Sequence, residues 1–304
     1  MRDLLIICDC GRDVPSLTQE FSVTRLAPGE ERQKEIEKAE VIIGEPSLEE
    51  LAGARNLKWL QMTWAGADRY LKGGFPKGVA LTTASGAFGE TISEHALGML
   101  LSLCRRLPAY RRWKDMGSEK QLSGATALIF GCGDIGGEIA KRLKAFGVRT
   151  VGVCRNARRA RPNFDVLTTL PCAEAFFGEA DFILCAMPHN AETDGYFSAE
   201  RLSALKDDAV LVNVGRGSFI DTAALTGLLQ EGKFFGVGLD VVDPEPLPPT
   251  HSLWEMPNVI VTPHVAGVSF GHLQSTEDKI WQICRENIRR YLAGESLINQ
   301  VELP

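Results

Sequence analysis

No stretch of this 304-residue chain reaches eighteen uninterrupted apolar residues, so the sequence holds no candidate membrane-spanning helix. The N-terminal run Leu4-Leu-Ile-Ile-Cys8 is cut short by Asp9, too soon for a signal peptide, and the expected compartment is the cytoplasm. Positive charge is not in excess either. With 33 Lys and Arg against 39 Asp and Glu, the formal net charge is −6, which gives no basic footprint for nucleic acid and no polybasic membrane anchor. Eight cysteines are too few for a disulfide framework, and their spacing suits no metal. Cys8 and Cys10 are the closest pair, but no second pair or histidine cluster accompanies them. Cys104, Cys132, Cys154, Cys185 and Cys284 fall in apolar segments and read as buried reduced thiols. Internal repeats and low-complexity segments are also absent. What is present is a globular composition, 44% hydrophobic and 24% charged, in a chain long enough for two domains with separate cores.

Short apolar runs at residues 4–8, 22–26, 41–43, 57–62 and 79–82 alternate with polar, helix-compatible stretches such as 29–38 and 47–51. This cadence predicts a parallel sheet with helices on its faces. Residues 91–112 then carry Ile92, Ala96, Met99, Leu100, Leu103 and Leu107 at helical spacing, a natural bridge between domains, with Pro108 expected to kink or end the helix. A second cadence places strands at 126–130, 149–153, 181–186, 209–214, 235–241 and 258–262, six parallel strands of a doubly wound sheet. A final helix is expected over 270–293, with Ile280, Ile283, Ile288 and Leu292 on one face. If it packs with the first domain, that domain is discontinuous: 1–92 plus 271–304, with 93–270 inserted.

The second cadence opens on Thr126-Ala-Leu-Ile-Phe-Gly-Cys-Gly-Asp-Ile-Gly136, a strand breaking into glycines at 131, 133 and 136 and resuming as a helix through Ile139, Leu143 and Phe146. Such a turn uses one glycine at the bend, one where a pyrophosphate approaches the main chain, and one where helix packs on strand. The phosphates then rest on free N–H groups at the helix start. The motif predicts a dinucleotide site.

Ligands of an open parallel sheet lie beyond the carboxyl ends of its strands. Three polar residues occupy such positions in succession: Arg216, Glu245 and His264. Reducing a 2-oxo acid leaves negative charge on the carbonyl oxygen, which needs an acid nearby and a cation for the adjoining carboxylate. An imidazole suits proton transfer near neutral pH, and a carboxylate beside it fixes its tautomer. A guanidinium grips a carboxylate with two parallel hydrogen bonds.

On Leu122-Ser-Gly-Ala-Thr-Ala-Leu-Ile-Phe-Gly-Cys-Gly-Asp-Ile-Gly136, Val212-Asn-Val-Gly-Arg-Gly217, Gly238-Leu-Asp-Val-Val-Asp-Pro-Glu-Pro-Leu-Pro248 and Leu253-Trp-Glu-Met-Pro-Asn-Val-Ile-Val-Thr-Pro-His-Val-Ala-Gly267, the chain resembles the D-isomer-specific 2-hydroxyacid dehydrogenases, in particular glyoxylate/hydroxypyruvate reductases. The resemblance implies a Rossmann-type nucleotide-binding domain inserted in a discontinuous flavodoxin-like substrate domain, both α/β with doubly wound parallel sheets. It implies Arg216, Glu245 and His264 as the catalytic set. It places Gly131, Gly133, Asp134, Ile135, Gly136, Met187, Pro188, Val214, Gly215, Asp240, His264 and Gly267 along the cofactor. Thr63-Trp-Ala-Gly-Ala-Asp-Arg69 resembles the loop whose backbone N–H groups bind the substrate carboxylate, which transfers to Gly66 and Ala67 alongside Arg216. Trp64 departs from the small residue expected there and either reshapes the substrate pocket or belongs to the core. Ser93-Glu-His-Ala96 resembles the start of an interdomain helix and makes His95 structural. A homodimer is implied, with residues 101–113 as a candidate contact.

The departure that bears on cofactor choice lies in Thr150-Val-Gly-Val-Cys-Arg-Asn-Ala-Arg-Arg159. NAD-preferring members end this strand on an acidic residue that receives the ribose hydroxyls. Here Cys154 stands at that position and Arg155 follows, which predicts NADP(H), with Arg155 as main determinant and Arg158 or Arg159 assisting; NAD is the alternative cofactor. The expected activity is reduction of a small 2-oxo acid to its D-2-hydroxy acid, with no metal. The rivals are a dinucleotide-sensing regulatory protein using the same fold, and formate oxidation, which the carboxylate of Glu245 in place of an amide disfavours.

Overall fold

The computed structural model describes residues 2–8, 20–27, 32–109, 117–268 and 273–303. Asp9, Cys10, the beginning of the 29–38 stretch, residues 110–113 of the expected dimer contact and Phe270 lie outside the described residues. The chain divides into two units, Met1–Phe88 with Val268–Pro304, and Gly89–Gly267. No helix among the described residues is long and apolar enough to cross a membrane.

The first unit runs β1 (Arg2–Ile7), β2 (Phe21–Leu26), α1 (Gln33–Lys38), β3 (Val41–Gly44), α2 (Leu48–Leu51), β4 (Trp59–Gln61), α3 (Asp68–Leu71) and β5 (Ala80–Thr82). All pairs are parallel and the order is β2-β1-β3-β4-β5, the flavodoxin-like arrangement. Val41, Ile42 and Ile43 are fully buried in succession, as a parallel strand covered on both faces requires. Ser47 and Glu50 cap the start of α2 reciprocally.

The second unit begins with α4 (Gly89–Cys104), followed by β6 (Thr126–Phe130), α5 (Asp134–Ala145), β7 (Arg149–Val153), β8 (Val166–Thr168), β9 (Phe182–Cys185), α6 (Ala199–Ala204), β10 (Val210–Asn213), α7 (Thr222–Gln230), β11 (Gly236–Leu239) and β12 (Val259–Val261). Its sheet has seven parallel strands in the order β12-β11-β10-β9-β6-β7-β8, not the six expected. The additional strand, β8, is a three-residue edge strand in which Thr168 alone is buried, too short to register as an apolar run. Alternation sends Leu128 and Phe130 into one core and Ala127 and Ile129 into the other. Phe130 meets Tyr196, Phe197 and Phe219 at ring-centroid distances of 5.4, 5.1 and 5.5 Å, so aromatic packing fixes the first face. On the second face lie α4, through Met99 and Leu103, and α5, through Ile139 and Leu143. Phe146, read with Ile139 and Leu143 as part of the helix, is the C-cap residue of α5 and 43% exposed.

The helix expected over 91–112 stops at Cys104. Pro108 has no N–H to offer the Cys104 carbonyl four residues earlier, which accepts from the Lys120 amide instead at 2.9 Å. Arg106 turns to φ 53° and Leu107–Ala109 form a single 3-10 turn.

The chain closes with α8 (Gln274–Ala293), which returns to the first unit and makes it discontinuous. Its buried stripe is Ile280, Trp281, Cys284, Asn287 and Ile288; Ile283 and Leu292 are half-buried. A polar residue is buried in that stripe because it is paired. Asn287 Nδ2 donates to Gln61 Oε1 at 2.8 Å, Thr82 Oγ1 donates to the same oxygen at 2.8 Å, and Trp59 Nε1 donates to Thr82 Oγ1 at 2.8 Å.

Candidate active site

In the second unit the strand order reverses between β6 and β9, and a crevice at the carboxyl ends is expected there. Three close backbone approaches build it. A Cβ on Gly131, which holds φ +102°, would lie 2.7 Å from the Ala186 carbonyl oxygen; one on Gly215 would lie 2.8 Å from the Met187 carbonyl oxygen. A Cβ on Gly136 would lie 1.7 Å from the Gly131 carbonyl oxygen, so α5 can start against the turn only through a glycine. Met187-Pro188 and Val214-Gly215 are thereby brought beside the glycine turn.

Gly133 behaves differently. A Cβ there would meet nothing within 4 Å, so packing does not explain the glycine. It is the N-cap of α5, with no side-chain cap for the N–H groups of the first turn around Asp134, Ile135 and Gly136. Open space over uncapped helix amides is what a pyrophosphate requires, and the residues present fit a dinucleotide.

Arg216, Glu245 and His264 follow the adjacent strands β10, β11 and β12. Asn213, fully buried, organises the first of these ends: its Nδ2 donates to the Arg216 carbonyl at 2.9 Å and its Oδ1 accepts from Gly215 N at 3.0 Å. Gly217 then passes so close to the next loop that a Cβ would lie 2.0 Å from the Val242 carbonyl oxygen. This presses the half-buried Arg216 segment toward the loop that carries Glu245.

His264 and Glu245 meet directly, Nδ1 to Oε1, at 2.6 Å, with side chains 40% and 42% exposed. The turn presenting the imidazole is held from beneath by Asp240, which is 2% exposed. One oxygen of Asp240 accepts from Thr262 Oγ1 at 2.6 Å and Val265 N at 2.9 Å, and the other accepts from Ala266 N at 3.0 Å. Its backbone carbonyl accepts from His264 N at 2.9 Å. These bonds stabilise a left-handed residue, His264 at φ 55°. Asp240 is thus an anchor for the His264 turn, a role that strand spacing does not reveal. His95 lies under the same turn, its Nε2 3.0 Å from Thr262 Oγ1 and 3.6 Å from Asp240. Gly267 is half-buried at the end of the turn.

At the end of β7, Cys154 is buried and Arg155 is exposed. The glycine turn is tied to that end by Gly131 N, which donates to the Val153 carbonyl at 3.0 Å. Burial, with Cys154 beside it, pushes the Cys132 thiol up to about 12, so Cys132 is a packing residue and no nucleophile. Arg161, which strand-end reasoning missed, donates from Nη1 to the Cys132 carbonyl at 3.0 Å.

In the first unit the Thr63–Ala67 loop follows β4. Glu45 clamps it, accepting from Thr63 N at 2.7 Å and Thr63 Oγ1 at 3.0 Å. Burial raises the Glu45 carboxyl above its ordinary range in spite of these bonds. Ala67 is buried and Gly66 half-buried, whereas Trp64 is 56% exposed and so is no part of the core. Among the described residues, no group of three or more His, Cys, Asp or Glu side chains is placed to hold a metal.

Residues 97–266 match the family model described as D-isomer specific 2-hydroxyacid dehydrogenase, NAD binding domain. A solved D-isomer specific 2-hydroxyacid dehydrogenase family protein from Aeromonas salmonicida is 34% identical, superposes with a TM-score of 0.89 and covers 99% of each chain. A D-isomer specific 2-hydroxyacid dehydrogenase from Xanthobacter autotrophicus, solved with NADPH and MES, is 26% identical with a TM-score of 0.81 and 98% coverage of each chain. Glyoxylate/hydroxypyruvate reductase HPR3 of Arabidopsis thaliana is 31% identical over 236 residues, 75% of this chain and 70% of the relative.

Proposed function

The chain belongs to the D-isomer specific 2-hydroxyacid dehydrogenase family of NAD(P)-dependent oxidoreductases, and we propose that it reduces a small 2-oxo acid, such as glyoxylate or hydroxypyruvate, with NADPH. The observation that carries the reading is the 2.6 Å His264–Glu245 pair at the strand end next to that of Arg216. When bound, the nicotinamide supplies the hydride. The chain's own residues manage the charge that reduction creates. With Nδ1 donating to Glu245, Nε2 of His264 is the atom left to hold a proton for the developing alkoxide. Arg216 holds the 2-oxo acid by its carboxylate and polarises the carbonyl, a task for which planar guanidinium geometry is suited. The carboxylate role of Gly66 and Ala67 belongs to the same proposal, as do the cofactor contacts of Met187, Pro188, Val214, Gly215 and Gly267.

The choice of NADPH is supported by Arg155 and the missing acidic residue at Cys154, and by the NADPH held in the Xanthobacter structure. A cytoplasmic homodimer is part of the proposal. Initial rates on glyoxylate, hydroxypyruvate and pyruvate, each at limiting NADPH and NADH, test it. Turnover favouring NADPH is expected. A clear preference for NADH would overturn the cofactor assignment, and tight cofactor binding without turnover on any of the acids would favour a dinucleotide-sensing role.

A further inference from the structure

We propose that Arg161 is a second cationic arm for the ribose 2′-phosphate, standing on the glycine turn and acting with Arg155 in place of Arg158 or Arg159. The assignment rests on the NADPH reading above. Its foundation is the loop between β7 and β8, which is built and not merely exposed. Asp165 returns the loop to the sheet, its carboxylate accepting from Thr150 N at 2.9 Å, and Thr150 Oγ1 donates to the Asn163 carbonyl at 2.8 Å. Phe164 packs over Gly152, where a Cβ would lie 2.5 Å from its ring. With the returning end fixed, the Arg161 side chain reaches across to the Cys132 carbonyl at 3.0 Å. Cys132 is tied in turn to the end of β7, its Sγ donating to the Val153 carbonyl at 3.5 Å. Arg155, two residues past Val153, and Arg161, resting on Cys132, therefore flank the corner where Cys154 replaces an acidic residue.

The charge balance at this corner is incomplete. A guanidinium carries five donors. Among the described residues, that of Arg161 has one hydrogen bond, to a neutral carbonyl, and its Nε is shielded from solvent with no acceptor. A partly desolvated cation without an anion is unfavourable, and a phosphate dianion offers the planar guanidinium a strong, directional partner. Arg158 and Arg159 are exposed; the Asn156 side chain accepts from Arg158 N at 3.0 Å, but no hydrogen bond or ion pair holds either guanidinium among the described residues. Ordering such a freely rotating side chain on a ligand costs entropy that a side chain already held in place does not lose.

Titration calorimetry of the full chain with 2′,5′-ADP and 5′-AMP isolates the contact, since the two differ only by the 2′-phosphate. Wild type should prefer 2′,5′-ADP. Arg161→Gln should weaken 2′,5′-ADP by about tenfold to a hundredfold, the worth of one charge-assisted pair, while leaving 5′-AMP within about twofold. Arg159→Ala should leave both unchanged. Equal weakening of both nucleotides by Arg161→Gln would make Arg161 a structural support of the turn and overturn the assignment. A wild-type preference that Arg161→Gln does not alter would remove Arg161 alone. A wild type that does not distinguish the nucleotides would remove the NADPH reading and Arg161 with it.

Discussion

Alanine at Gly133 and at Gly136 separates what the glycine turn does for a ligand from what it does for the fold. At Gly136 the added methyl would stand 1.7 Å from the Gly131 carbonyl oxygen and 2.8 Å from its carbon. Backbone atoms cannot swing aside as a flexible side chain can, so the turn or α5 must shift, an over-packing cost of about 1–3 kcal/mol. At roughly 2–4 °C per kcal/mol for a unit of this size, Gly136→Ala should melt roughly 2–12 °C below wild type. At Gly133 the methyl would meet nothing within 4 Å, and the backbone, at φ −83° and ψ −151°, is extended and open to alanine. Gly133→Ala should therefore melt at or slightly above the wild-type temperature, since alanine restricts the unfolded chain by about 0.4–1 kcal/mol. The same methyl would occupy the approach to the α5 amides and should weaken NADPH at least about tenfold, or about 1.4 kcal/mol. Thermal melts give the first quantity and titration calorimetry the second. Unchanged NADPH affinity in Gly133→Ala, or a melting temperature as low as that of Gly136→Ala, would refute the reasoning.

Two further perturbations have defined outcomes. Glu245→Gln keeps the shape of the side chain but removes the charge facing His264; kcat/KM should fall about tenfold to a hundredfold, the worth of a charged hydrogen bond, with NADPH affinity unchanged, and wild-type kcat/KM would contradict the pairing. Asp165 is held down to about 2, first by the hydrogen bond from Lys144 and then by that from Thr150 N. A carboxyl lowered in this way stabilises the fold above its ordinary range near 3.8 and loses that contribution as pH falls toward 2. With 37% of the side chain exposed, screening limits the effect to about 1 kcal/mol. Urea midpoints of wild type and Asp165→Asn should differ at pH 7 and draw together only as the pH falls to about 2, and a gap independent of pH would remove the carboxylate from the account.

Much of this architecture was legible because parallel strands buried on both faces leave unbroken apolar runs, as in Val41-Ile-Ile and Ala127-Leu-Ile-Phe130. The Glu245–His264 contact was legible because strand order alone brings consecutive loop starts to one edge. What the sequence concealed are features settled across long separations or on very short segments. β8 has three residues and one buried position. Asn287 and Gln61 are 226 residues apart, and only the return of α8 turns a polar position into a buried one. Asp240 reads as a residue inside the apolar run 235–241 until the turn at 262–266 folds over it. Arg161 sits in a polar loop with four other arginines nearby, at 149, 155, 158 and 159, and only the carbonyl of Cys132 distinguishes it.

The role of His264 as the proton-holding group is the claim on which the rest depends. Single-turnover reduction of glyoxylate by His264→Gln, with NADPH affinity measured on the same sample, tests it most directly. Loss of about 10²-fold or more in the chemical step with wild-type NADPH affinity is the expected result, in keeping with the usual contribution of a positioned acid. A near-normal rate in that variant would contradict the account.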